Sequence, residues 1–210
     1  MSSSAHAAHA ETLADRVHEA TGESVYECYQ CGKCTAGCPL AQEMDHAPSQ
    51  VLRLLQLDLP DMEEEVLQTY AIWVCLTCET CVSRCPKEVD LPKIMDYLRQ
   101  ESLRRGMVHP KAKDILAFHQ SFLDSIRKNG RLHEVGLVAS YKLKTFHLLQ
   151  DVLVAPQLLA RGKLSLLPHG SPGKAEVQRI FDRCQPLTSN VKGQAEPTRS
   201  APSEHKADHP

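Results

Sequence analysis

Eight of the nine cysteines fall in two short runs. The first, CYQCGKCTAGCP, spans Cys28 to Pro39, and the second, CLTCETCVSRCP, spans Cys75 to Pro86. Both read C-x2-C-x2-C-x3-C-P, and Cys28, Cys31, Cys34 and Cys38 recur 47 residues later as Cys75, Cys78, Cys81 and Cys85. Thiolates are soft ligands suited to zinc or to iron–sulfur clusters. A two-residue gap lets neighbouring thiolates reach two corners of one metal–sulfide cube while the loop N–H groups turn towards its sulfides. Three such cysteines wrap one cluster. The fourth is offset by three residues and followed by a proline, whose fixed φ and missing N–H steer the chain away from the wrap.

In two-cluster ferredoxins that carry this run, the fourth cysteine ligates the other cluster, a known property of the run and not a consequence of its spacing. Carried onto this sequence, it assigns one 4Fe-4S cluster to Cys28, Cys31, Cys34 and Cys85, and a second to Cys75, Cys78, Cys81 and Cys38. The competing ion is zinc. Structural zinc sites use paired C-x2-C knuckles, but a tetrahedral ion has no use for a third and fourth cysteine at these offsets. Gly32, Thr35, Ala36, Gly37, Thr77, Thr80 and Ser83 are slim, which lets backbone approach sulfur. Lys33, Arg84 and Lys87 bring positive charge near an anionic cluster, which favours its reduced form; the plainer alternative is three solvated side chains. Cys184 stands alone and reads as a free structural thiol. The eleven histidines form no H-E-x-x-H pair and read as surface or packing residues.

The totals narrow the class. With 210 residues the chain suits one domain with extensions, and a net charge of −2 carries no bulk footprint for nucleic acid. Aromatics make up 5%, so ligands are expected to replace missing core burial, and removing iron is expected to unfold much of the N-terminal half. The opening MSSSAHAAHAETLADR has no basic stretch followed by an apolar run, and clustered thiols suit a reducing compartment, so a cytoplasmic location is expected. The longest apolar runs, such as YAIWVCL, fall far short of the roughly 20 residues of a membrane span. No G-x-G-x-x-G loop, P-loop or G-x-S-x-G elbow is present, and no nucleophile–base pair is evident, so no catalytic residue is assigned.

The elements that must hold the cysteines read as helices. Leu13, Val17 and Ala20 share a face ahead of Gly22. Between the runs, one helix opens at Pro48 with Val51, Leu52, Leu54 and Leu55. A second opens near Asp61 and runs on through Tyr70 and Ala71 towards Val74. LPKIMDYLRQESLRRG predicts a helix ending near Gly106, and a further one carries Ile115, Phe118, Phe122 and Ile126 ahead of Gly130. Then comes an apolar stripe of Val135, Val138, Phe146, Leu149, Val152 and Leu153, with Leu137 and Leu148 outside it. Either that helix is buried on most sides or it keeps one face for a partner subunit. The predicted organisation is all-α: a disordered start at 1–10, a dicluster domain at 11–106, a helical docking extension at 107–185 and a disordered tail at 186–210.

Two such runs joined by a helical linker resemble the α-helical ferredoxin fold, which also occurs in the iron–sulfur subunits of succinate dehydrogenase, fumarate reductase and glycolate oxidase. ECYQCGKCTAGCP, WVCLTCETCVSRCP, GMVHP, NGRLHE and LLARGKLSLLPHG, in that order, resemble the C subunit of heterodisulfide reductase over about Leu13 to Cys184. The resemblance implies an oxidoreductase component without a substrate site of its own. It would relay electrons between the heterodisulfide reductase A and B subunits within a hetero-oligomer. The former carries flavin and iron–sulfur groups, and the latter has cysteine-rich CCG motifs. This chain has no CCG motif.

Overall fold

A computed structural model describes residues 11–145, 161 and 170–189. The expectations for residues 1–10 and 190–210, and the stripe members from Phe146 to Leu153, lie outside the described residues. Among the described residues the chain is helical and has no strand, as the all-α expectation requires.

Helix α1 (Leu13–Thr21) starts in a capping box. Asp15 N donates to Thr12 Oγ1 (3.2 Å), and Thr12 N donates to the Asp15 carboxylate (3.1 Å). It ends where Gly22 turns left-handed at φ 75°. Helix α2 (Lys33–Gly37) is a single turn inside the first cysteine loop. Helix α3 (Pro48–Leu57) opens on its proline and buries Val51, Leu52 and Leu55. Helix α4 (Pro60–Gln68) buries Val66 and Leu67.

The predicted second linker helix is interrupted at Thr69. It resumes as α5 (Ala71–Val74). The cause is Asp45, whose carboxylate accepts from Tyr70 N (2.7 Å), Ala71 N (2.8 Å) and the Thr69 hydroxyl (2.6 Å). These bonds cap the new helix start, where orphan N–H groups need acceptors. Burial pushes the Asp45 carboxyl up, but the hydrogen bonds from Thr69, Tyr70, Ala71 and His46 outweigh it and hold the group below its ordinary pKa.

Helix α6 (Thr80–Arg84) is the single turn of the second cysteine loop. Helix α7 (Leu91–Arg105) buries Leu91, Ile94, Met95 and Leu98, the i, i+3, i+4, i+7 stripe of a core helix. It packs against α1, α4 and α5, while α3 packs on α4 and α2 on α6. The resulting core holds one aromatic residue, Trp73, among aliphatic side chains. Each buried Leu, Ile, Val or Met contributes roughly 1.5–3 kcal/mol. The core is therefore well filled without aromatics. None of the residues of α2 or α6 is buried. The scaffold helices have their own apolar packing, and Cys28, Cys34, Cys75, Cys81 and Cys85 lie partly buried against it.

Helices α8 (Lys113–Asn129) and α9 (Glu134–Thr145) form a hairpin that meets at small residues. Ser121 and Ser125 are the buried positions of α8. Ser140 Oγ donates to Ser121 Oγ (3.2 Å), and His133 N donates to Ser125 Oγ (3.0 Å). The predicted face of Ile115, Phe118, Phe122 and Ile126 flanks this seam, with Phe118 exposed. On α9 the expectation is reversed at two residues: Leu137 is buried and Val138 is 49% exposed. With Val135, Leu137 and Val138 in close succession, the sequence leaves the inward face undetermined.

Helix α10 (Lys174–Ser189) returns to α8, with Arg127 and Asp182 paired at 2.9 Å and Ser171 N bonded to Asn129 O (3.1 Å). It runs past Pro186, so the predicted start of the disordered tail falls inside a helix. Among the described residues no helix is long and apolar enough to cross a membrane.

Candidate iron–sulfur site

The two cysteine loops have the same backbone. In the first, Gln30 (φ 63°) and Gly32 (φ 75°) are left-handed; in the second, Thr77 (φ 50°) and Glu79 (φ 60°) are left-handed at the equivalent positions. These kinks bend each C-x2-C-x2-C segment into a wrap, and a short helix follows in both. The fourth cysteine then leaves in extended conformation, Cys38 at ψ 122° and Cys85 at ψ 117°, as the following proline demands. Where α2 meets α6, Gly37 faces its own equivalent, Arg84. A Cβ at Gly37 would lie 2.6 Å from Arg84 Cδ, so the glycine makes room for the arginine.

The packing of α2 on α6 brings the fourth cysteine of each loop to the other loop. One cavity has Cys28, Cys31, Cys34 and Cys85 in its wall, with Leu52, Val89 and Leu91. A second has Cys38, Cys75, Cys78 and Cys81, with Leu40, Met44, Pro92 and Met95. Cys81 and Leu91 border both. All nine cysteines are free thiols, and the middle member of each wrap, Cys31 and Cys78, is exposed. Among the described residues, no three His, Cys, Asp or Glu side chains converge closely enough to hold a single metal ion. Four sulfur donors spread around an apolar-walled cavity suit a 4Fe-4S cube, in which each iron takes one thiolate.

The thiols differ in electrostatics. Burial raises Cys34 and Cys75 above the ordinary thiol pKa and pushes Cys81 up to about 11. Cys78 is lowered by hydrogen bonding to the Thr80 hydroxyl and backbone; its Sγ lies 3.5 Å from Thr80 Oγ1. Val89 N points at Cys85 Sγ (3.4 Å), and Gln30 Nε2 lies 3.6 Å from Cys28 Sγ. Of the three cations singled out in the sequence, Lys33 lines the first cavity and is exposed. Lys87 pairs with Glu27 at 3.3 Å. Arg84 lies against Gly37. Thr35 bonds Ser49 twice, tying α2 to the start of α3. Cys184 is exposed on α10 and lines neither cavity.

Two residues without any motif of their own hold the loops in place. Gln56 Nε2 donates to Val25 O (2.8 Å) and Cys28 O (2.6 Å). Arg99 donates from Nε to Ile72 O and from Nη2 to Cys75 O. The four carbonyls are equivalent pairs, but their clamps come from α3 and from α7, at unrelated sequence offsets. No spacing in the sequence pairs Gln56 with Arg99.

A helical scaffold with two cysteine-lined cavities, each drawing on both loops, defines an iron–sulfur protein of the dicluster class, and residues 24–89 match the model of the 4Fe-4S dicluster domain family. The chain is 30% identical over 127 residues to the C subunit of the ferredoxin:CoB-CoM heterodisulfide reductase of Methanosarcina mazei, covering 58% of this chain and 76% of that protein. It is also 30% identical over 106 residues to the C subunit of the H(2):CoB-CoM heterodisulfide,ferredoxin reductase of Methanothermobacter thermautotrophicus (50% of this chain, 56% of that one). With the second iron-sulfur C subunit of the CoB--CoM heterodisulfide reductase of Methanocaldococcus jannaschii it shares 32% identity over 113 residues (54% and 59%). The chain belongs to the family of heterodisulfide reductase C subunits. It spans 56% of the length of the Methanothermobacter relative.

Proposed function

We propose that this chain is the electron-relay component of a heterodisulfide-reductase-type complex, with one 4Fe-4S cluster on Cys28, Cys31, Cys34 and Cys85 and the other on Cys75, Cys78, Cys81 and Cys38. The observation that supports the reading is the crossing: Cys85 of the second loop lines the cavity of Cys28, Cys31 and Cys34, and Cys38 of the first lines that of Cys75, Cys78 and Cys81, with Cys81 bordering both. When bound, such clusters supply one-electron chemistry over a wide range of potentials. The chain's own residues hold the two sites against each other through α2 and α6, share Cys81 and Leu91 between their walls, and exclude water on the inner side with Leu52, Met44 and Met95. The outer side stays open at Cys31 and Cys78, where a redox partner can approach.

The partners proposed are the heterodisulfide reductase-like A and B subunits, by analogy with the family's complexes: a flavin and iron–sulfur protein on one side and a CCG-motif protein on the other. A tagged chain purified anaerobically is expected to contain iron and acid-labile sulfide and to copurify with a CCG-motif protein. Capture of a flavin-dependent 2-hydroxyacid oxidase alone would move the chain to the glycolate oxidase type. A colourless protein holding zinc and no sulfide would end the iron–sulfur reading.

A further inference from the structure

The same two backbone carbonyls are clamped in both loops, but by groups of different charge. At the first site the clamp is the neutral Gln56 carboxamide on Val25 O and Cys28 O, with its own Oε1 accepting from Gln30 (3.0 Å). At the second it is the Arg99 guanidinium on Ile72 O and Cys75 O. A guanidinium stays protonated at any working pH. The Arg99 side chain is 21% exposed, so its charge is poorly screened on the side that faces Cys75.

We infer that Arg99 is a positioning residue that raises the reduction potential of the second site relative to the first, biasing an added electron towards the Cys75 loop. Reducing a cluster adds one negative charge, and a fixed cation beside one site stabilises that charge there more than at its neighbour. Two charges oppose the asymmetry, Glu79 in the second wrap and Arg53 beside Cys28 and Gln56, but both are exposed and screened by solvent. Lys33 at the first site is exposed and screened by solvent. Lys87 is paired with Glu27 and is 48% exposed, so solvent screens it far more than Arg99. Arg84 lies where α2 and α6 meet and acts on both sites. Asp96 is the counter-ion of Arg99, bonded at 2.7 Å to Nη1 and not to the Nε and Nη2 that hold the carbonyls, and its side chain is 52% exposed. It weakens the field without reversing it.

The inference rests on the proposed ligand sets, and the experiment separates the two. Full-length protein carrying its clusters is titrated with dithionite, and the reduced signals are followed by electron paramagnetic resonance. Cys31→Ser and Cys78→Ser, each confined to one wrap, identify which signal belongs to which site. Arg99→Gln is expected to move the midpoint of the Cys78-sensitive signal to lower potential and leave the other in place. Asp96→Asn keeps both carbonyl bonds and unmasks the guanidinium, so the same midpoint should rise. Gln56→Arg should raise the midpoint of the Cys31-sensitive signal. Should Arg99→Gln fail to hold its cluster, Asp96→Asn decides: a rise supports the inference. An unchanged or lowered midpoint overturns it, as does an Arg99→Gln variant that shifts both signals equally. Failure of the ligand sets would show separately, as loss of the Cys31-sensitive signal in Cys38→Ser.

Discussion

The two cysteine loops share their left-handed kinks, their single helical turns and their extended fourth cysteines, yet almost none of their non-cysteine residues agree. Gly32 faces Glu79 in the comparison, Gln30 faces Thr77, and Gly37 faces Arg84. The clamps differ too, a carboxamide in one and a guanidinium in the other. The common part is what the proposed sites, four thiols around a cube, would require of a backbone. The divergent part is free to set stability and electrostatics at each site separately. A fold that repeats its geometry while varying its charges can hold two chemically identical groups in unequal environments.

The largest effect should come from exchanging one fourth cysteine. Cys38→Ser is expected to abolish the reduced signal of the Cys75, Cys78 and Cys81 site while sparing the other, although Cys38 sits in the first run. Cys85→Ser should do the converse. Electron paramagnetic resonance of the reduced variants checks both, and loss confined to the mutated loop's own site would break the crossing. Removing iron altogether comes next. No residue of the turns α2 and α6 is fully buried, whereas α1, α3, α4 and α7 enclose an aliphatic core. Chelated protein should therefore lose amide protection in residues 28–38 and 75–85 and keep it in those four helices. Uniform loss of protection by hydrogen exchange would show that the core depends on the clusters.

Much of this was legible from the residues because the cysteine spacing repeats in full and because helix signals are local. Gly22, Pro48, Gly106 and Gly130 mark helix ends where such residues are expected. The break at Thr69 was not legible, since the carboxylate that causes it, Asp45, lies 24 residues upstream in sequence. Burial of Leu137 over Val138 was not legible either, since neighbouring apolar residues do not encode which of them faces inward. The clamps were invisible for a similar reason. Gln56 and Arg99 look like ordinary polar helix residues until the fold brings each to a cysteine carbonyl. Left-handed Thr77 and Glu79 could not be anticipated either, because that conformation is normally signalled by glycine.

Removing the clamps should sharpen the comparison at intermediate size. Arg99→Ala deletes two charge-assisted bonds to carbonyls and is expected to cost about 3 kcal/mol. Gln56→Ala deletes neutral ones and should cost about 1 kcal/mol. Denaturant midpoints for loss of visible absorption, read on the assembled protein, measure both. Equal costs would mean that the two clamps are interchangeable as structural devices.

The smallest effects, of opposite sign, concern the kinks. Gly32 and Glu79 occupy the same left-handed position, at φ 75° and 60°. A side chain there brings Cβ close to the backbone carbonyl and costs about 1 kcal/mol, which glycine avoids. Space is not the constraint at Gly32, since an added Cβ would meet nothing within 4 Å. Gly32→Ala should therefore destabilise the first loop by about 1 kcal/mol through backbone strain alone. Glu79→Gly should stabilise the second by a similar amount, despite the extra freedom that glycine has in the unfolded chain. Opposite shifts in the denaturant midpoint would confirm that the second loop carries a strain the first has shed. A destabilising Glu79→Gly would instead mean that the glutamate makes a compensating interaction once the site is loaded.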